Sequence, residues 1–177
     1  MPRPLIRFNQ VFCTGLELES IKEAVDNRIL AGDGPFTAKC SDWLRIHTNS
    51  HRAFLTHSCT AALEMAAMLI GLKPGDEVIM PSFTFVSTAN AVALRGAIPV
   101  FVDIRPDTLN LDETLIENAI TTRTKAIWPV HYAGVACDMD SSMSIAQKHE
   151  LKVVEDSAQA INATYKNRPL GGFGDLS

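Results

Sequence analysis

The stretch EVIMPSFTFVSTANAVALRGAIPVFVDI, residues 77–104, decides the fold. It holds two Val- and Ile-rich runs, 77–80 and 99–104, on either side of a helical candidate at 87–95. That is a strand, a crossover helix and a second strand. The same alternation continues outward, with strands expected at 53–56, 125–130 and 152–155 and helices at 60–70, 112–120 and 139–149. The four strand candidates from residue 77 onward are almost uniformly apolar, as expected of strands covered on both faces. Repeated strand–helix units imply right-handed crossovers and a mostly parallel sheet between two helical layers. The expected class is therefore α/β, three-layered. Upstream, 16–30 carries Leu18, Ile21, Ala24, Val25 and Ile29 near helical spacing. Gly32-Asp33-Gly34-Pro35 breaks it, and a second helix should carry Phe36, Cys40, Trp43 and Leu44 on one side.

With 177 residues the chain can bury one sizeable α/β core. Its net charge of −4 argues against nucleic acid or an anionic membrane surface as the main partner. A phosphorylated ligand stays open, because a helix N-terminus binds phosphate without net positive charge. Residues 1–9 contain no apolar signal-peptide core, and no stretch approaches the roughly 18 apolar residues of a membrane span. Cys13, Cys40, Cys59 and Cys137 form no CxxC pair, which fits reduced thiols and a cytoplasmic protein. Cys137-Asp138 has no partner at metal-ligand spacing, so no metal is assigned.

Ligands of an open parallel sheet bind at the carboxyl ends of its strands. Those ends should carry His57-Ser58-Cys59-Thr60, Pro81-Ser82-Phe83-Thr84-Phe85, His131-Tyr132-Ala133-Gly134 and Asp156-Ser157-Ala158-Gln159. Ser58 and Thr60 read first as helix caps, a role compatible with phosphate binding at the same turn. Phe83 and Phe85 read first as packing mass, and His131 as a structural histidine. Gly171-Gly172-Phe173-Gly174 lacks the order of either common nucleotide loop and reads as a turn. Asp156 is the sharpest signal. A carboxylate at the end of a buried strand needs a cationic or protonated partner, unless it caps a helix.

Three blocks resemble the DegT/DnrJ/EryC1/StrS sugar aminotransferases. They are residues 73–91, the run Pro129-Val130-His131-Tyr132-Ala133-Gly134, and the run Val153-Val154-Glu155-Asp156-Ser157-Ala158-Gln159. The resemblance implies the large domain of a fold-type-I enzyme that uses pyridoxal 5'-phosphate (PLP). It implies a cytoplasmic homodimer passing an amino group from glutamate to C4 of a dTDP-linked 4-keto-6-deoxy sugar. By the same resemblance Asp156 pairs with the pyridine nitrogen and Phe85 stacks on the ring. Cys59 and Thr60 hold the phosphate, and Gln159 lies beside the 3-hydroxyl. Cys59 stands where the family often has a smaller residue, a change that a backbone contact survives.

A weightier departure from the family concerns the lysine. The Schiff-base lysine follows a motif that would come after Ser177, and none of Lys22, Lys39, Lys73, Lys125, Lys148, Lys152 or Lys166 takes its place. The expectation is thus an N-terminal helical segment at 1–50 and part of the cofactor domain at 51–177, with the C-terminal domain absent. No catalytic residue is then assigned, and the chain alone should be inactive. An unpaired sheet edge and uncovered apolar faces should follow. The alternative is a non-catalytic binding or dimerising module. A Rossmann-like dehydrogenase is disfavoured by the missing glycine fingerprint.

Overall fold

The computed structural model describes residues 10–177; the expectation for residues 1–9 lies outside them. Its elements run in the order α1 (Glu17–Asp26), α2 (Pro35–Thr48), α3 (Cys59–Leu69), β1 (Glu77–Pro81), α4 (Val86–Ala93), β2 (Ile98–Val102), α5 (Glu113–Ala119) and β3 (Thr124–Ile127). A 3-10 turn at Tyr132–Gly134, α6 (Met139–Lys148) and β4 (Lys152–Val153) follow, then a short antiparallel hairpin of β5 (Thr164–Tyr165) and β6 (Arg168–Pro169).

The main sheet has the order β2-β1-β3-β4, and every pairing is parallel. Successive side chains of a strand point to opposite faces, and the core divides accordingly. Val78, Met80, Ala126, Trp128 and Val154 pack on one side with Leu63, Ala66 and Ala67 of α3 and Ala91 and Val92 of α4. Ile79, Val102, Ile127 and Val153 pack on the other with Ile116 of α5 and Met139 and Ala146 of α6. The three-layer α/β expectation holds.

Several details differ. Residues 53–56 form no strand, and Phe54 is 76% exposed there. A run as short as Ala53-Phe54-Leu55-Thr56 carries no information about whether a neighbour exists to pair with it. β2 is not covered on both faces. It ends the sheet, pairs only with β1, and leaves Phe101 56% exposed. β4 is only two residues long, and its line continues as isolated bridges, Val130 to Asp156 and Val154 to Leu176. The break at residues 32–35 doubles as a start, because Gly34 is the N-cap of α2 and Pro35 its first residue, where a missing N–H costs nothing. Neither α1 nor α2 contains a buried residue. Among the described residues, no helix is long and apolar enough to cross a membrane.

Candidate functional site

The carboxyl ends of β1, β3 and β4 converge with the N-termini of α3 and α4 on one rim. α3 starts there because Ser58, in extended conformation, caps it: its hydroxyl accepts from Ala61 N at 3.2 Å. The amides of Cys59 and Thr60 in this first turn have no intrahelical acceptor, and the positive end of the helix dipole lies with them. Thr60 does not cap. Its hydroxyl hydrogen-bonds Ser87 in the first turn of α4 at 2.7 Å, which ties the two helix starts together.

Asp156 lies at the centre of this rim and is only 5% exposed. Its backbone completes the sheet, with its N–H donating to Pro129 O at 2.9 Å and its carbonyl accepting from His131 N at 3.1 Å. No helix begins at Asp156, so it is not a helix cap. Its Oδ2 accepts from Thr88 Oγ1 at 2.7 Å, and Thr88 in turn meets Thr84 at 2.9 Å. The shared bond to the carboxylate makes Thr88 the donor there and Thr84 the donor to Thr88. Oδ1 accepts from Ala158 N at 3.2 Å and takes a long contact of 3.9 Å from the Cys59 thiol. The partial burial of that sulfur, together with the charge of Asp156 and its hydrogen bond, pushes the thiol up to about 11. None of the ion pairs among the described residues includes Asp156.

Cys59, Thr60 and Asp156 are thus brought together by direct contacts or by one intermediary. Phe85 and Gln159 stand on the flanks. Phe85 is the N-cap of α4 and is 71% exposed, so the reading of it as packing mass fails. Phe83 is partly open, its ring tilted against that of Tyr132 at 4.6 Å between centroids. Gln159 Oε1 accepts from Ala133 N at 2.7 Å, which leaves its amide NH2 as the free group. Ala133 takes a left-handed conformation, φ 53°, in the turn at Tyr132–Gly134. Such a conformation in a non-glycine residue persists only where its surroundings fix it. Here Gln159 holds one side, and Asn110 holds the other by accepting from Tyr132 N and donating to Val135 O.

His131 is fully buried and satisfied, as a structural histidine should be. Cys137 N donates to its Nδ1 at 3.2 Å, which places the ring proton on Nε2, 3.0 Å from Glu155 Oε2. The glycine-rich segment is more than a turn: Gly171, Phe173 and Gly174 all donate their amides to the Glu155 carboxylate.

Thr84 lies on the rim as expected, whereas Ser87, Thr88 and Glu155 carry no such signal of their own in the sequence. The i, i+4 spacing of Thr84 and Thr88 just after β1 is what could have flagged Thr88.

The family model described as the DegT/DnrJ/EryC1/StrS aminotransferase family matches residues 13–177. The spore coat polysaccharide biosynthesis protein SpsC of Bacillus subtilis is 43% identical over 161 residues, covering 91% of this chain and 41% of its own length. GDP-perosamine synthase of Caulobacter vibrioides is 40% identical over 163 residues, covering 92% of this chain and 44% of its own. Among solved structures, NtdA of B. subtilis with bound pyridoxamine phosphate (PMP) superposes with a TM-score of 0.81 at 38% identity, covering 92% of this chain and 37% of that one. The chain therefore spans about two fifths of the length of the curated relatives it matches.

Proposed function

Because this chain belongs to the DegT/DnrJ/EryC1/StrS aminotransferase family, we propose that its sheet rim binds the family's cofactor, pyridoxal phosphate, for amino transfer to a nucleotide-linked keto sugar. The observation that carries this reading is Asp156, a buried carboxylate beside the N-terminus of α3 with no cationic partner among the described residues. A protonated pyridine nitrogen is a partner that such a carboxylate lacks. The residues present fit the cofactor's other groups as well. The first-turn amides of Cys59 and Thr60 suit a phosphate. The exposed ring of Phe85 offers a face for stacking, and the free amide of Gln159 suits the 3-oxygen.

When bound, the cofactor supplies an electron sink for the carbon that exchanges the amino group. Asp156 keeps the ring nitrogen protonated, and Thr88 orients Asp156. The helix start neutralises phosphate charge. Residues 51–177 then form part of the cofactor domain. At the finer level, glutamate is the donor and C4 of a dTDP-4-keto-6-deoxyglucose the acceptor, a choice that rests on overall likeness to the family rather than on any residue of the rim. None of this chain's lysines takes the place of the cofactor-bearing one, so the chain alone is inactive. The apolar residues that α1 exposes, Leu18, Ile21 and Val25, support pairing with a second copy.

The test is a titration with pyridoxamine phosphate, which has no aldehyde and cannot attach to stray lysines. Saturable binding by the chain that weakens at least tenfold in Asp156→Asn supports the reading. Equal binding by both proteins overturns it. Turnover of the keto sugar with glutamate by the chain alone would overturn the inactivity.

A further inference from the structure

Glu155 is 1% exposed and precedes Asp156 at the end of the same strand line, so the two side chains leave the sheet on opposite faces. Its carboxylate is filled on both oxygens. Oε1 accepts from Phe173 N at 2.7 Å and Gly174 N at 2.8 Å, and Oε2 from Gly171 N at 3.0 Å and His131 Nε2 at 3.0 Å. All four groups are donors, and three of them belong to one loop. The loop also lies close against the backbone of its neighbours. A Cβ on Gly172 would lie 2.3 Å from Thr48 O, and one on Gly174 would lie 2.7 Å from Val153 O. A single buried carboxylate thus joins the segment after β3, the segment after β4 and the 171–174 loop. The backbone of Asp156 is hydrogen-bonded within the same three-way junction, to Pro129 O and from His131 N.

We propose that Glu155, with the His131 Nε2–H directed at it, is the positioning residue that sets where the Asp156 carboxylate stands on the rim. The inference rests on the reading of Asp156 as the partner of the cofactor's ring nitrogen. The chemistry is specific to a carboxylate. Replacement by glutamine puts an NH2 where two donors already converge, whichever way the amide turns. His131 cannot relieve this by changing tautomer, because Nδ1 faces the Cys137 N–H. One contact must open: either that of His131, whose segment is bonded to the Asp156 backbone, or one to the 171–174 loop, which holds the Glu155 side chain and so the residue next to Asp156.

The experiment uses the chain with pyridoxamine phosphate as probe and three readouts. These are the probe's Kd, the pH at which the bound ring nitrogen loses its proton as followed by absorbance, and amide exchange at 171–174 without probe. Glu155→Gln is expected to raise Kd on the order of tenfold, as when an orienting partner behind a ligand is lost. It should also lower the pH of the spectral transition and speed exchange of the loop. His131→Leu should do the same, and His131→Gln, which keeps an N–H toward Glu155, should restore values near wild type. If exchange speeds up while Kd and the spectral transition stay put, Glu155 only anchors the loop and the proposal is overturned. If Glu155→Gln does not fold, the His131 pair decides, and equal Kd and transition in His131→Leu and His131→Gln overturn it. If wild type does not bind the probe, or Asp156→Asn binds it equally well, the underlying reading of Asp156 fails and takes this proposal with it. Normal loss in Asp156→Asn with none in Glu155→Gln overturns the positioning role alone.

Discussion

Thr88 Oγ1 donates to Asp156 Oδ2 at 2.7 Å across 68 residues of sequence, with Thr88 fully buried and Asp156 nearly so. The bond joins the first turn of α4 to the carboxyl end of the sheet. Because Thr84 supplies a donor to Thr88, the threonine hydroxyl is fixed in direction as well as in place. In Thr88→Val, a near-isosteric change, Asp156 keeps its charge and loses one donor on Oδ2. Leaving a buried charged acceptor short of a donor costs about 1–3 kcal/mol. Urea unfolding should show a loss of that size, with weaker binding of pyridoxamine phosphate. Unchanged stability and binding would mean that Asp156 finds a replacement donor.

The acid limb of stability should report on Glu155. Burial alone raises this carboxyl, but the hydrogen bonds from His131 and from the amides of Gly174, Gly171 and Phe173 outweigh it, so the group sits below its ordinary value of 4.5. A lowered folded-state value means the unfolded chain binds the proton more readily. The contribution is therefore complete above 4.5 and lost as pH falls through the folded-state value. Asp138 and Asp175 are shifted in the same direction, so the wild-type slope alone does not isolate Glu155. The difference between wild type and Glu155→Gln does. That difference should be largest near neutral pH and shrink as pH falls below 4.5. A gap in unfolding free energy that stays constant from pH 7 to pH 3 would rule the carboxylate out as the source.

Gly172 is not among the glycines with positive φ and is still confined. The atom its substitution would add meets the carbonyl oxygen of Thr48 at 2.3 Å, and a carbonyl at the end of α2 cannot rotate away as a side chain could. Gly172→Ala should lower stability by about 1–3 kcal/mol, the usual range for overpacking. It should do so by separating α2 from the 171–174 loop, so proteolysis at residues 49–56 should accelerate. Gly71→Ala is a useful contrast, since nothing lies within 4 Å of its added carbon and only its positive φ resists.

How far the sequence reaches can be judged from pairs of residues. Val78 and Ile79 announce β1 because a run apolar on both faces has few other uses, and they are packed in the two opposite halves of the core. Phe54 and Leu55 look similar in isolation, yet no strand among the described residues pairs with them, and pairing is a property of the neighbour. Asp156 could be picked out because a carboxylate after Val153-Val154 is an electrostatic conflict visible in sequence. Thr88 could not, because a threonine in the first turn of a helix is ordinary until the chain has folded it against Asp156. The loop at 171–174 reads as a turn for a related reason. Gly172 and Gly174 are explained by close approach to Thr48 and Val153, contacts that composition does not encode.

The thiol of Cys59 offers a probe of Asp156 that needs no cofactor. Its value of about 11 comes first from burial of the sulfur and then from the charge and hydrogen bond of Asp156. At pH 8 such a thiol is ionised to roughly one part in a thousand, and alkylation, which requires the thiolate, is correspondingly slow. Asp156→Asn removes the two contributions of the carboxylate and leaves that of burial. Alkylation of Cys59 by iodoacetamide, read peptide by peptide in a mass spectrometer, should therefore speed up several-fold in the variant, while Cys13 and Cys40, distant in sequence and exposed, serve as internal references. A rate that changes equally at all three cysteines would point to general loosening of the fold. A rate that changes at none would show that the 3.9 Å contact carries no electrostatic weight and that burial alone governs the sulfur.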